Sequence, residues 1–260
     1  MLATRDRYEV ADLSAAIATA VDQAAAHDEP FLHLVFDRVF PADVYAAMLD
    51  AMPTYADYRP MSGRSTNVRD DGKSTRVKID LFPEQIRGLP PKKREVWDRV
   101  GRALCSRTVT EAFVRRLAPG LRKRFGANFA DVGFYPMPIL TRDIPGYTIP
   151  PHPDTHWKGI TVQLYLPRDA STPHIGTIFH AKNPDNSLKF HSKMQFLPNT
   201  GYAFAVDTDT WHSADPVGPE VETRDSILLT YFVDAGLLRH LRNRGKRLGN
   251  FVRAEWLGRL

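Results

Sequence analysis

The sequence predicts an α+β chain, mainly β, in which a helical first half packs outside a sandwich or barrel of short strands. Three observations carry this. Up to about residue 130 the apolar residues recur at helical spacing. From Asp131 onward, short runs of β-branched and aromatic residues alternate with Pro, Gly, Asn and Asp. The N-terminal helices hold too few apolar residues for a core of their own, so they should cover a sheet rather than form a separate unit. The expected organisation is a single domain over 1–260: a mainly helical scaffold (1–130), a strand-rich core (131–235) and a basic helical tail (236–260).

Taken in order, Ala11 to Ala26 is alanine-rich with Leu13, Ile17 and Val21 spaced by four, and Asp28-Glu29-Pro30 closes the helix. Phe31 to Phe36 reads as a short extended run. A second helix, Ala42 to Met52, follows Pro41, a residue suited to a first helical turn. Met61 to Lys73 is rich in Arg, Ser, Gly and Asp without periodicity, the signature of a mobile surface loop or lid. Lys92 to Arg124 reads as a helical pair broken near Pro119-Gly120. The predicted strands are Val132 to Leu140, Thr161 to Leu166, Gly176 to Phe179, Leu188 to Phe196, Tyr202 to Val206 and Ile227 to Val233. The sequence contains no internal repeat or low-complexity tract.

Composition narrows the function classes. At 43% hydrophobic and 25% charged residues the chain matches ordinary soluble proteins, which argues against disorder. No run approaches the ~20 apolar residues that span a bilayer, and Met1 to Val10 lacks a basic segment followed by an apolar one, so neither membrane insertion nor secretion is expected. The single cysteine, Cys105, reads as a buried helix residue; with no disulfide to form, it points to a reducing, cytoplasmic setting. The net charge of +5 gathers in Lys92 to Arg124 and in Arg239 to Arg259. Aromatic residues are sparse there, so these read as solvated helix faces and nucleic acid is disfavoured.

Chemistry concentrates in Pro151-His152-Pro153-Asp154-Thr155. Residues two apart on an extended strand share a face, roughly 7 Å apart at Cα, so an imidazole and a carboxylate can converge on one ion. His212, in Thr210-Trp211-His212-Ser213 after the strand Tyr202 to Val206, offers a third ligand. Two histidines and one carboxylate with open positions form the site that suits non-haem iron(II). Beyond it, Arg224-Asp225-Ser226 places a guanidinium and a hydroxyl on one strand face, a pair suited to a two-pronged grip on a carboxylate plus a third hydrogen bond. A buried arginine needs an anionic partner.

In this order, His152-x-Asp154, His212 and Arg224-x-Ser226 resemble the iron(II)/2-oxoglutarate-dependent oxygenase superfamily. Ile144-Pro145-Gly146-Tyr147-Thr148-Ile149, Gln163-Leu164-Tyr165-Leu166-Pro167, Gly176-Thr177 and the opening Pro30 to Asp37 are similar to bacterial members of its prolyl 4-hydroxylase-like branch. The resemblance spans most of Pro30 to Asp234. It implies a double-stranded β-helix, or jelly-roll, catalytic core with helices outside and a short C-terminal helix. It further implies iron(II) on His152, Asp154 and His212, 2-oxoglutarate as co-substrate on Arg224 and Ser226, and ascorbate as an auxiliary reductant. Where that branch often holds the co-substrate with lysine, Arg224 stands here, so a peptidyl-proline substrate does not follow. Asp154 occupies the carboxylate position that halogenating relatives lack, which favours hydroxylation.

The expected reaction is hydroxylation of a C–H bond in a small metabolite such as an amino acid, sugar or natural-product intermediate, with release of succinate and carbon dioxide, by a monomer or homodimer. The alternatives are hydroxylation of a protein or ribosomal residue, and a non-catalytic cupin-like metal-binding module, which would not require Arg224 and Ser226. Gln163 and Tyr165 face the barrel interior and can touch the co-substrate or simply fill the core. Arg142 would meet an anionic substrate or form a surface salt bridge; Trp157 would wall the substrate pocket or pack. Arg224 competes with a structural role opposite Asp225 or Glu222. His156 is a rival to His152 as ligand, disfavoured because the chain should turn after Asp154. Trp211 reads as packing, and His180 and His191 as structural.

Overall fold

In the first helix, α1 (Val10–Gln23), the four-residue apolar spacing puts Leu13, Ile17 and Val21 on one buried stripe. The computed structural model describes residues 9–61, 68–234, 241, 243–245 and 247–249. After α1 come the strands β1 (Ala25–His27) and β2 (His33–Phe36), then α2 (Ala42–Asp50), whose preceding residue is Pro41. Strands β3 (Arg59–Pro60) and β4 (Arg76–Asp80) precede α3 (Pro83–Ile86).

Lys92 to Arg124 holds parts of three helices rather than the expected pair: α4 (Pro91–Leu104), α5 (Arg107–Arg116) and α6 (Ala118–Phe125). The first break falls at Cys105-Ser106, where the Ser106 hydroxyl accepts the Val109 N–H and caps α5. Pro119 lies in the first turn of α6, where its missing N–H costs nothing. Gly120 is a packing glycine: a Cβ there would sit 2.9 Å from the Ala205 methyl, so its bareness lets α6 lie close on the sheet.

The remaining strands are β5 (Phe134–Asp143), β6 (Ile149–His152), β7 (Lys158–Tyr165), β8 (Thr177–Lys182), β9 (Leu188–Met194), β10 (Gly201–Ala205), β11 (His212–Ala214) and β12 (Arg224–Val233). They form an eight-stranded sheet in the order β1-β2-β10-β7-β12-β5-β4-β3 and a four-stranded sheet β6-β11-β8-β9. The pairings are antiparallel throughout, and the two sheets form a jelly-roll core. The fold is thus α+β, mainly β, as expected. The expected helical scaffold, 1–130, also supplies β1 to β4, two at each end of the large sheet.

Period-two alternation sorts the side chains. Ile160, Val162 and Leu164 of β7, Ala203 and Ala205 of β10, and Ile227, Leu229 and Tyr231 of β12 join the core shared with the helices. Their neighbours turn the other way: Tyr165, Tyr202 and Phe204 meet Phe179 of the small sheet in a second cluster. The same alternation sends Thr161, Gln163, Arg224 and Leu228 into a cavity between the sheets.

Of the tail expected over 236–260, Leu241, Asn243 to Gly245 and Arg247 to Gly249 have helical backbone, and the rest lies outside the described residues. Buried Asn243 ties it to the barrel by donating to Val233 O at 3.1 Å. Among the described residues no helix is long and apolar enough to cross a membrane.

Candidate metal centre and its pocket

Strand β6 pairs with β11 in a register that sets His152 directly opposite His212. Their ring centroids are 4.5 Å apart. Strand β6 ends at His152, so Asp154 is not on one regular strand with it but in the turn toward β7. Contacts to β7 bring its carboxylate back: Thr161 Oγ1 donates to Oδ2 and Lys158 Nζ to Oδ1, each at 2.5 Å. One ligand atom from each of His152, Asp154 and His212 lies within 4.8 Å of the others.

The protonation states suit a cation. His152 Nδ1 lies 2.9 Å from Pro150 O and His212 Nδ1 3.0 Å from Thr210 O. A carbonyl only accepts, so both Nδ1 atoms carry a proton, the arrangement in which Nε2 is the nitrogen suited to hold a cation. Burial lowers the His212 pKa to about 4 against the pull of Asp154, keeping the ring neutral at pH 7. Burial would raise the Asp154 pKa; the Lys158 ammonium, His212 and the Thr161 hydrogen bond outweigh it and hold the carboxyl well below its usual range.

These side chains line a cavity of about 480 Å³ whose wall also includes Met61, Tyr147, Gln163, Thr177 and Tyr202. Arg76 and Arg224 lie on the same wall, and the Asp143 carboxylate sits between them. In register, Arg76 of β4 and Arg224 of β12 are the two cross-strand partners of Asp143 on β5. Arg76 donates through Nε at 2.6 Å and Nη2 at 3.1 Å to the two carboxylate oxygens; Arg224 donates through Nη1 at 3.0 Å. Two guanidinium charges therefore face one carboxylate, leaving the row with one net positive charge. Desolvation opposes the charge on both arginines, and Asp143 contributes to overcoming it.

The other expected site residues divide. Gln163 lines the cavity and donates to Ser226 Oγ at 2.5 Å. Ser226 is fully buried off the cavity wall, its hydroxyl engaged with Gln163 and with Thr141 Oγ1 at 2.8 Å, so it joins strands rather than offering a third hydrogen bond to a ligand. Tyr165 is also off the wall: its hydroxyl donates to Thr177 Oγ1 at 2.8 Å and its ring lies 5.6 Å from the Arg224 guanidinium. The anionic partner expected for Arg224 is found in the chain itself, in Asp143 rather than Asp225 or Glu222.

Arg142 points away from the cavity. It pairs with Asp225 at 2.7 Å and donates to Pro53 O, because its position in β5 is one off that of Asp143 and so faces the opposite side of the sheet. Trp157 is 43% exposed and its ring meets that of His156 at a tilt of 42° with centroids 3.7 Å apart; neither residue lines the cavity. His156 is exposed and is not in the ligand cluster. Within the anticipated lid, Met61 lines the cavity and Val68 bridges Ser74, while residues 62–67 lie outside the described residues. Sequence reasoning missed Arg76, Asp143, Lys158 and Thr161. For the first two, the available signal was a charged residue at an inward position of a strand.

No protein-family model and no curated protein matches the chain. Among solved structures, a prolyl hydroxylase from Trichoplax adhaerens, in complex with a hypoxia inducible factor oxygen degradation domain peptide fragment, aligns with a TM-score of 0.50 at 11% identity over 85% of this chain and 90% of that one. The chain shares the jelly-roll fold of that structure. A prolyl-4-hydroxylase from Pseudomonas putida aligns at 0.46 and 15% identity over 85% and 99% of the two chains. An oxidoreductase of the 2OG-Fe(II) oxygenase family from Burkholderia pseudomallei aligns at 0.42 and 14% over 87% and 91%.

Proposed function

We propose that this protein is a non-haem iron(II)- and 2-oxoglutarate-dependent oxygenase that hydroxylates a C–H bond of a small metabolite. The observation that carries the reading is the meeting of two imidazoles and a carboxylate in a cavity that also holds a net-positive arginine row. That donor set fits iron(II), which binds two histidines and one carboxylate on one face and leaves the remaining positions for ligands. A cupin-like binding module needs no arginine row beside its metal.

When bound, iron would supply dioxygen activation and the oxidative decarboxylation of the 2-oxo acid to succinate and carbon dioxide. The chain supplies binding and geometry. Pro150 O and Thr210 O fix the tautomers of His152 and His212, and Thr161 and Lys158 hold the Asp154 carboxylate toward them. Tyr147 and Ile149 add apolar surface to the cavity. A volume of about 480 Å³ suits a co-substrate and a compact second molecule, which supports a metabolite over a protein substrate. Asp154 leaves no vacancy for a halide, consistent with hydroxylation.

Purified protein given iron(II), ascorbate and 2-oxoglutarate should form succinate slowly without a second substrate. His152→Ala and Asp154→Ala should abolish that turnover. Undiminished succinate formation in both variants would reject the ligand assignment.

A further inference from the structure

Resting on the reading above, we propose that Arg76, from the N-terminal half of the chain, is the residue that binds the distal carboxylate of the 2-oxo acid, and that Arg224 and Asp143 position it. The argument is a count of N–H groups. Arg224 is 1% exposed, and contacts within the chain take up four of its five N–H groups: Nε to Ile175 O at 3.0 Å, one N–H of Nη1 to Asp143, and Nη2 to Gly176 O at 3.5 Å and Thr177 Oγ1 at 3.4 Å. Rings of Tyr165 and Phe196 cover it at 5.6 and 5.8 Å. A guanidinium tied in this way has little left to offer a ligand.

Arg76 is the opposite case. It is 8% exposed, lines the cavity, and places Nε and Nη2 on Asp143, while its Nη1, with two N–H groups, has no hydrogen-bond partner among the described residues. Its guanidinium carbon lies 4.3 Å from the centroid of the Tyr147 ring, which also lines the cavity. Those N–H groups stand open to the cavity without an acceptor, and the row already carries one uncompensated positive charge. A carboxylate arriving from the cavity would satisfy both at once. Asp143 sets the direction of this free edge by holding the other side of the same guanidinium in a two-pronged pair.

The test separates recognition of the distal carboxylate from general damage. Titration calorimetry on manganese-loaded protein under nitrogen would compare 2-oxoglutarate with 2-oxopentanoate, which has the same chain length and chelating end but no distal carboxylate. The native protein should prefer 2-oxoglutarate by about 100-fold, the worth of a charge-assisted contact. In Arg76→Gln that preference should fall below about 10-fold while 2-oxopentanoate binds as before. Arg76→Lys, which keeps the charge opposite Asp143, should retain an intermediate preference. Full preference in both variants would overturn the assignment and leave the carboxylate to Arg224. Native protein that binds neither acid when metal-loaded would instead remove the oxygenase reading, and this inference with it.

Discussion

Replacing Thr161 with valine removes one hydroxyl and leaves the shape of β7 unchanged. That hydroxyl donates to Asp154 Oδ2 at 2.5 Å from a side chain that is almost wholly buried. A hydrogen bond to a charged group contributes about 1.5–3 kcal/mol. Asp154 is itself only 7% exposed at the side chain and keeps Lys158 on its other oxygen, so the carboxylate stays charged but loses the contact that fixes its rotation. Metal binding must then supply that ordering, and removal of a group that orients a ligand typically weakens affinity about 10- to 100-fold. Competition titration with manganese(II) against a fluorescent chelator would measure the change, with thermal unfolding of the metal-free protein run in parallel. A metal affinity equal to that of the native protein, whatever happens to the melting temperature, would refute the claim that Thr161 prepares Asp154 for a cation.

Three further outcomes follow from other parts of the molecule. Gly101→Ala should destabilise the protein by about 1–3 kcal/mol in urea unfolding, because the new Cβ would lie 2.2 Å from the Leu81 carbonyl and force α4 off the end of β4; unchanged stability would contradict that packing. Burial pushes the Cys105 thiol up to about 12, against a smaller opposing pull from Arg247. Its alkylation at pH 8 should be about a thousand-fold slower in the native than in the unfolded protein, and should keep rising with pH up to 10 without a plateau. Arg247 hydrogen-bonds both Glu84 oxygens and depresses the Glu84 pKa. The sign is that of a lowered carboxyl: the contribution is complete above the unfolded pKa near ~4.3 and is lost as pH falls further. The protection of the Leu248 amide, the factor by which it exchanges more slowly than in the unfolded chain at the same pH, should therefore fall on acidification to about pH 3 in the native protein but change little with pH in Glu84→Gln.

The parts of the site that the sequence made legible are those whose logic is local. His152-x-Asp154 is a short spacing, and His212 follows a strand that its β-branched and aromatic residues announce. The long strands were readable for the same reason, since Ile160 to Leu164 and Ile227 to Tyr231 alternate over several residues. Short strands were not: β6 and β11 have four and three residues, too few for periodicity, and β6 contains two prolines. Strand β4 was hidden because Arg76-Val77-Lys78-Ile79-Asp80 puts charges on both ends of an inward face, which reads as surface until Asp143 and Arg224 are known to lie beside it. Ser226 shows the converse error, whereas Arg142 forms the salt bridge that was its second reading. Strand alternation gives the face of a residue but says nothing about which partner across the sheet has already claimed its hydrogen bonds.

The borders of the large sheet are its two shortest members, β1 with three residues and β3 with two, one of them Pro60. An unfinished ladder of N–H and C=O groups is what a stray strand from another molecule needs in order to add on. Here the broad middle strands are flanked on both sides, and the ladder runs out within a few residues at either margin. A chain trimmed back to its catalytic half would lose those flanking strands, uncover β10 and β5 along their length, and trade a self-limiting sheet for one prone to grow by accretion.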